Sequence, residues 1–315
     1  MSAILFIKTS SLGDVIHHMP AMVDARRSRP TARLCWVVEE SFAPLAKLHP
    51  AADEIIPVAS RRWRHALHST ETWREIAEFR RRLRARPYDE IVDTQGLLRT
   101  ALFARFAHGR RHGYDRQSVR EPLASLCYDV RHHVARDLHA VARNRALTGM
   151  ALGYTPPEPV DYGLDRQRLA QPAREPYAIL LHATARREKE WAEQRWIVLA
   201  RALAARGLGL VLPWGNERER ERAQRIAATV PAARVAERAP LDELTRTIAG
   251  AAFVVGLDTG LLHLAAALGV PLVAIFVASE PGLTGPVGRG PVEVVGGRGA
   301  MPGEADVIAA VDCIA

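Results

Sequence analysis

Apolar positions recur along this chain in two alternating series of short strands and amphipathic helices. The first series predicts strands at 3–7, 33–38, 54–58 and 88–93, and helices at 14–28, 41–48, 70–86, 95–107, 117–130 and 135–151. The second predicts strands at 177–182, 208–213, 252–257 and 271–277, and helices at 192–206, 216–229, 240–249 and 259–268. Strands that alternate with helices are typical of a parallel sheet covered on both faces. The pattern therefore predicts an α/β protein with two doubly wound domains.

A proline-rich segment, 155–176, separates the two series. Proline cannot lie inside a helix or a central strand, because it lacks the backbone N–H that these structures need. We therefore interpret this segment as a linker. The domains that it predicts are 1–160 and 161–315. Residues 285–303 are rich in glycine and predict a loop, and Glu304–Ile314 predicts a short C-terminal helix.

The chain of 315 residues carries a net charge of +8, with 43 basic against 35 acidic residues. This balance favours an acidic partner, which could be nucleic acid, an anionic membrane surface or a phosphorylated substrate. Only Lys8, Lys47 and Lys189 are lysine, so 43 − 3 = 40 of the basic residues are arginine. The three cysteines lie far apart and form neither a metal-ligand spacing nor a disulfide framework.

Features that the sequence lacks argue against several classes of protein. No apolar run approaches the ~20 residues that cross a bilayer, and the run Ala3–Ile7 is too short for a signal peptide. We therefore expect a cytosolic protein. The fingerprints of dinucleotide binding, P-loop hydrolysis and zinc hydrolysis are all missing from the sequence.

Two glycine-bearing polar turns, Lys8–Asp14 and Gly256–Gly260, each join an apolar strand to an amphipathic helix. Open α/β sheets bind ligands at such turns, where helix N-termini offer free backbone N–H groups. Asp14 supplies a carboxylate suited to a base, and the second turn supplies small residues suited to an anion. The pair favours a transferase. Each turn is also consistent with a helix cap and no ligand; in the second turn, His263 would then be a histidine whose hydrogen bonds are satisfied within the protein.

Further polar residues follow the strands of the second domain. Thr184 precedes a run of cations that includes Lys189, which fits either phosphate binding or a solvated charged loop. Glu219 follows Pro213–Gly215 and could accept hydrogen bonds from ribose hydroxyls.

Arginines of the first domain form two groups. Arg61, Arg62, Arg64 and Arg120 are suited to bidentate binding of carboxylate or phosphate. By contrast, the arginines of 70–86 share their helix with glutamates and predict a solvated face or one that touches anionic lipid.

Over nearly the whole chain, these motifs resemble the lipopolysaccharide heptosyltransferases of glycosyltransferase family nine. The motifs that carry the resemblance are Lys8–Asp14, Trp36–Glu40, Arg61–Arg64, Arg120–Leu126, Pro213–Gly215 and Asp258–Leu261. The resemblance implies a GT-B fold, in which two Rossmann-like domains face a central cleft. It also implies inverting transfer of L-glycero-D-manno-heptose from ADP-heptose onto Kdo of Kdo-lipid A, with no active-site metal and no cofactor.

The resemblance also implies roles for individual residues. Asp14 would be the general base, and Lys189 would stabilise the leaving ADP. The donor-binding residues would be Thr184, Ala185, Lys189, Glu219, Asp258, Thr259, Gly260, Leu261 and His263. The acceptor-binding residues would be Ser10, Ser11, Gly13, Arg61, Arg62, Arg64 and Arg120. The first domain would therefore bind the acceptor and the second the ADP-sugar.

Three positions depart from the family pattern. Ala185 replaces a second threonine, His65 replaces a lysine, and Val277-Ala278-Ser279 replaces Gly-Pro-Thr. These changes concern phosphate and acceptor contacts and leave the implied reaction intact.

The resemblance implies a monomer without nucleic acid, peripheral on the cytoplasmic face of the inner membrane. Alternative functions are heptosyltransferase II, another ADP-sugar transferase of the GT-B type, or a non-catalytic ADP-sugar binder. A nucleic-acid binder is a further alternative, but the chain lacks a basic surface interleaved with aromatics.

Overall fold

The computed structural model describes residues 2–184, 187–277 and 282–314. The chain divides into two compact units, Met1–Gly163 and Leu164–Ala315, which we call unit 1 and unit 2. The division lies three residues after the boundary that the linker prolines predict. Each unit contains a six-stranded parallel sheet covered by helices, so the predicted α/β class with two doubly wound sheets is confirmed.

Unit 1 is wound around a sheet in the order β3-β2-β1-β4-β5-β6, in which every neighbouring pair is parallel. Its strands are β1 (Ala3–Ile7), β2 (Arg33–Glu39), β3 (Glu54–Val58), β4 (Pro87–Asp93), β5 (His108–Tyr114) and β6 (Val130–His132). Its helices are α1 (Leu12–Ser28), α2 (Ala43–Ala46), α3 (Ser60–His65), α4 (Thr70–Arg84), α5 (Leu98–Phe106) and α6 (Ala140–Leu152), with 3₁₀ helices at Glu40–Phe42 and Pro122–Cys127. The order reverses between β1 and β4, and ligands bind at such a switch point in open α/β sheets.

The alternation of β1 side chains assigns the helices of unit 1 to the two faces of its sheet. Leu5 belongs to the apolar cluster formed with Phe79 of α4 and Phe103 of α5. Phe6 points to the opposite face, where its ring lies 5.5 Å from that of His18 in α1. Helix α6 packs beside α1. Helices α4 and α5 therefore cover one face, and α1 and α6 cover the other.

Unit 2 repeats this winding, with the strand order β12-β11-β10-β7-β8-β9 and all pairs parallel. Its strands are β7 (Tyr177–Leu181), β8 (Gly209–Leu212), β9 (Ala233–Val235), β10 (Phe253–Leu257), β11 (Leu272–Phe276) and β12 (Val292–Gly296). Its helices are α7 (Arg166–Leu169), α8 (Glu193–Ala204), α9 (Glu217–Ala228), α10 (Leu241–Gly250), α11 (Gly260–Ala267) and α12 (Glu304–Ile314), with a 3₁₀ helix at Arg187–Lys189. The reversal falls between β7 and β10. The predicted C-terminal helix is confirmed.

The predictions fail mainly at the edges of the sheets. Strands β5, β6, β9 and β12 were not predicted, because each lies toward a sheet edge and carries polar or exposed residues where buried strands carry apolar ones. The predicted loop 285–303 thus contains β12. The predicted helix 117–130 is wrong: the segment forms the 3₁₀ helix Pro122–Cys127 and leads into β6. Two leucines of this segment, Leu123 and Leu126, are exposed.

None of the helices within the described ranges has the length and apolar character that crossing a membrane requires.

Candidate active site

Asp14 lies at the switch point of unit 1, in the first turn of α1 directly beyond β1. Its Oδ2 accepts hydrogen bonds from the backbone N–H of Ser11, at 2.8 Å, and from the Ser11 hydroxyl, at 3.2 Å. Asp14 therefore does cap its helix. Its Oδ1 lies 3.8 Å from Nζ of Lys8, and 30% of its side chain remains exposed. The cap thus leaves one carboxylate oxygen beside a cation and within reach of a ligand.

Lys8 is a buried cation with fixed partners. Its Nζ donates to the carbonyl oxygen of Thr94 at 3.0 Å and to Oδ1 of Asn144 at 3.4 Å. Burial lowers the pKa of Lys8, and the charges of Asp14 and Asp93 oppose that shift. The sequence places Lys8 and Asp14 in one turn, but only the fold brings Thr94 and Asn144 to the Lys8 side chain.

The turn after β4 supports the turn after β1. Oε1 of Gln95 accepts hydrogen bonds from the backbone N–H groups of Thr9 and Ser10, at 3.0 and 3.1 Å. Asp93, fully buried, accepts from the backbone N–H of Gln95 at 2.9 Å and from the Tyr128 hydroxyl at 2.8 Å. Burial raises the pKa of Asp93, and these hydrogen bonds oppose the shift.

The turn after β4, Asp93–Gly96, was not among the predicted sites. Its sequence nevertheless carries the same signal, because it is a polar, glycine-bearing segment between a buried strand and a helix.

The arginines after β3 are held by the end of β2. The buried carboxylate of Glu39 accepts from the Ser60 hydroxyl at 2.6 Å and from the backbone N–H of Arg61 at 2.9 Å, which fixes the start of α3. The Arg61 guanidinium lies 5.2 Å from the centre of the Phe42 ring. Arg64, on the same short helix, is exposed. The carboxyl edge of the unit 1 sheet therefore carries exposed cations as well as Asp14.

Arg62 differs from its neighbours because two carboxylates already pair with it. Its guanidinium donates to Glu40 at 3.1 and 3.2 Å and to Glu75 at 2.9 and 3.0 Å. These partners raise the pKa of Arg62. Arg120, by contrast, is exposed, and it precedes Glu121, whose backbone N–H donates to the carbonyl oxygen of Gly96 at 3.2 Å, so Arg120 lies beside the turn after β4.

In unit 2, Lys189 and Asp258 form an ion pair across the switch point. Nζ of Lys189 donates to Oδ2 of Asp258 at 2.7 Å, and Nε2 of His263 lies 3.7 Å from Oδ1 of the same carboxylate. Thr184, beyond the end of β7, is buried. The structure thus brings together the turn after β10 and the loop after β7, as two neighbouring parallel strands require.

The N-terminus of α11 presents polar groups suited to an anion. Thr259 is the N-cap residue, and its buried hydroxyl has no hydrogen-bond partner among the described residues. Gly260 is the first helical residue and Leu261 the second, where backbone N–H groups of a helix lack intrahelical partners. A bound phosphate oxygen would satisfy such groups. On the neighbouring strand β7, the buried His182 directly follows Leu181, and burial lowers its pKa to about 4, so it is neutral at pH 7.

Glu219 sits in the first turn of α9. Its Oε2 accepts from the backbone N–H of Gly215 at 2.7 Å, and its Oε1 accepts from the side-chain amide of Asn216 at 2.8 Å. A carboxylate has about four acceptor positions, so Glu219 retains capacity for a ligand hydroxyl. Three of the predicted or departing positions, Ala185, Ala278 and Ser279, lie outside the described residues.

No group of three or more His, Cys, Asp or Glu side chains in the described ranges is arranged to hold a metal ion.

Known proteins share this architecture. The structure of E. coli heptosyltransferase WaaC with ADP matches with a TM-score of 0.93 and 41% identity, over 99% of this chain and 100% of that one. The same enzyme with ADP-2-deoxy-2-fluoro heptose matches with a TM-score of 0.91 and 40% identity, over the same shares. Lipopolysaccharide heptosyltransferase 1 of Pseudomonas aeruginosa is 46% identical, over 92% of this chain and 83% of its own.

The fold and the two polar sheet edges define the class as a GT-B glycosyltransferase. The model of glycosyltransferase family 9 (heptosyltransferase) matches residues 76–306. The chain belongs to glycosyltransferase family 9, the heptosyltransferases.

Proposed function

We propose that this enzyme transfers L-glycero-D-manno-heptose from ADP-heptose onto Kdo of Kdo-lipid A, at a membrane surface and in lipopolysaccharide inner-core synthesis. The observation that best supports this reaction is the position of the Asp14 carboxylate. One of its oxygens is held by Ser11, the other faces Lys8, and the side chain stays partly open. A carboxylate held in this way is suited to accept a proton from an acceptor hydroxyl.

The transfer is a single displacement. The acceptor oxygen attacks the anomeric carbon as its proton passes to Asp14, and the bond from that carbon to the β-phosphate oxygen of ADP breaks. Attack from the face opposite the leaving group inverts the anomeric configuration. Lys8 places its charge 3.8 Å from Oδ1 of Asp14 and holds the carboxylate from that side, and Gln95 holds the turn through Thr9 and Ser10.

ADP binding is proposed for unit 2. The backbone N–H groups of the first turn of α11 and the Thr259 hydroxyl, which has no hydrogen-bond partner in the described part of the chain, are suited to the diphosphate. Lys189 lies at the same edge and would turn from Asp258 toward the phosphate, where it offsets the charge that develops as ADP leaves. Thr184 and Ala185 are proposed to line the phosphate pocket, His263 to orient Asp258, and Glu219 to accept hydrogen bonds from the ribose.

The acidic acceptor is proposed to bind unit 1. Ser10, Ser11 and Gly13 line the base, while Arg61, Arg64 and Arg120 supply exposed guanidinium groups suited to carboxylate and phosphate. Arg62 can bind the acceptor only while its guanidinium also donates hydrogen bonds to Glu40 and Glu75.

An assay of heptose transfer tests this proposal. The protein is incubated with ADP-heptose and Kdo-lipid A, and the acceptor is analysed by mass spectrometry for the addition of one heptose. A parallel reaction with an acceptor that already carries heptose separates this activity from that of heptosyltransferase II. Addition only to the second acceptor would reassign the substrate, and addition to neither would refute the transferase proposal.

A further inference from the structure

Four leucines on the α4–α5 side of unit 1 are exposed although they follow helical spacing. Leu98 and Leu102 lie one turn apart on α5 and are 37% and 45% exposed. Leu123 and Leu126 lie three residues apart on the 3₁₀ helix, where side chains eclipse, and are 63% and 66% exposed. Each pair therefore forms a short apolar ridge that faces solvent.

The two ridges lie on elements that pack together. Helix α5 contacts the 3₁₀ helix, and the Glu121 carboxylate accepts a hydrogen bond from the backbone N–H of Leu98 at 2.7 Å. The backbone N–H of Glu121 in turn donates to the carbonyl oxygen of Gly96 at 3.2 Å. We call the surface formed by Leu98, Leu102, Leu123 and Leu126 the leucine face. Exposed apolar groups collected on neighbouring elements mark an interaction surface.

Basic residues border the leucine face. The segment 98–136 contains eight arginines against three acidic residues, Asp115, Glu121 and Asp129. Each of these acids is bonded to neighbouring groups of the protein. Arg120 precedes the 3₁₀ helix, and Nε of the exposed Arg131 donates to the carbonyl oxygen of Ser125 at 2.8 Å. The apolar groups are thus flanked by cations, a combination that suits an anionic lipid surface.

We propose that the leucine face is the surface through which unit 1 sits on an anionic bilayer. Leu98 begins α5 at the carboxyl edge of β4, the same edge of the sheet that carries Asp14. A bilayer docked there would hold a lipid-linked acceptor with its sugar near the base and its acyl chains in the membrane. The proposal rests on the proposed function only for the identity of that acceptor.

The test compares vesicle binding of four forms of the full chain. Vesicles contain phosphatidylethanolamine and phosphatidylglycerol at 3:1, and bound protein is measured by co-sedimentation. The forms are the unmodified protein, Leu123→Ser/Leu126→Ser, Leu102→Ser and the control Met150→Ser. Met150 is 51% exposed but lies on α6, at the opposite face of the sheet.

We expect the double variant to lose at least about tenfold in partitioning, because two leucine side chains leave the lipid. Leu102→Ser should lose less, and Met150→Ser should bind as the unmodified protein does. Binding should also fall with added salt and on purely zwitterionic vesicles, because the flanking arginines contribute. Unmodified binding by the double variant, an equal loss in Met150→Ser, or no binding by the unmodified protein would overturn the proposal.

A second measurement separates this surface from the active site. Heptose transfer onto a deacylated, water-soluble acceptor should be unchanged in the double variant, since no bilayer is involved. A loss of that activity equal to the loss of vesicle binding would show a folding or catalytic defect and would contradict the docking role. Failure of the unmodified protein to use any acceptor would refute the proposed function, while the vesicle result would still decide the role of the leucine face.

Discussion

Nζ of the buried Lys8 lies 3.8 Å from Oδ1 of Asp14, in the turn that follows β1. We expect Lys8→Met, which keeps the length of the side chain, to lower kcat about 10- to 100-fold, since a charge-assisted contact contributes about 1.5–3 kcal/mol. The KM for ADP-heptose should change little, because Lys8 belongs to unit 1. Steady-state kinetics would test this.

The matched control is Lys47→Met, which removes an exposed lysine of the same unit. Equal kcat values in the two variants would contradict the role of Lys8.

Asp14→Asn should lower turnover roughly 10²- to 10⁴-fold, the usual effect of losing a general base. The amide oxygen can still accept the hydrogen bond from Ser11, so the fold and donor affinity should be retained. Turnover, ADP affinity and melting temperature are measured together. Asp165→Asn provides the comparison, because Asp165 caps α7 but has no proposed catalytic part. If Asp14→Asn behaves like that variant, Asp14 is only a helix cap.

Lys189→Ala should weaken ADP binding about 10- to 100-fold by calorimetry, the equivalent of about 1.5–3 kcal/mol. Two effects act in the same direction. The variant loses a cation for the diphosphate, and it leaves the Asp258 carboxylate, only 15% exposed, without its 2.7 Å partner beside the incoming anion. Lys47→Ala should bind ADP normally. If Lys189→Ala binds ADP as tightly as the unmodified protein does, Lys189 belongs to a solvated loop and does not bind the diphosphate.

Replacing Arg61 and Arg62 together by Gln should raise the KM for Kdo-lipid A and leave that for ADP-heptose nearly unchanged. The single Arg61→Gln change should account for most of the effect, since Arg62 is already paired with Glu40 and Glu75. The effect should shrink with salt, which screens exposed charges over about 8–10 Å. Arg81→Gln, on the exposed side of α4, is the control. A donor defect without an acceptor defect would show that the two units have been assigned the wrong substrates.

Buried histidines make the stability of the protein depend on pH. Burial lowers the pKa of His49 in unit 1 to about 4, from 6.5 for the free side chain. The unfolded chain therefore binds more protons than the folded one between these values, so the stability that is present above pH 6.5 is lost as the pH falls toward 4. The free energy of unfolding should change by about 1.4 kcal/mol per pH unit, or about 3 kcal/mol in total.

Denaturant unfolding at several pH values measures this dependence. His49→Asn, which can still accept the hydrogen bond from Ala51, should flatten the dependence; an unchanged slope would exclude His49 as its source.

The central strands and the polar turns that follow them could be predicted from sequence, because both signals are local. β1 and β10 are continuous buried runs, and the residues that end them are glycine and polar groups. Strand β5, which lies next to the edge strand β6, carries His and Arg at exposed positions and gives no such run.

The supporting contacts could not be predicted, because they join residues far apart in the chain. Lys189 and Asp258 are separated by 69 residues, and Thr9 and Gln95 by 86. Only the winding order of a sheet brings such pairs together. The assignment of individual residues to donor and acceptor remains a prediction for the variants above to test.

Among the described residues, one apolar cluster is drawn entirely from unit 1 and another entirely from unit 2. A chain whose units each contain an apolar core need not melt as one cooperative block. Scanning calorimetry should then resolve two heat-absorption peaks. A nucleotide that binds only the folded form of unit 2 adds stability to that unit by mass action. ADP should therefore move one peak to higher temperature and leave the other in place, so that the melting curve itself reports which half of the chain holds the nucleotide.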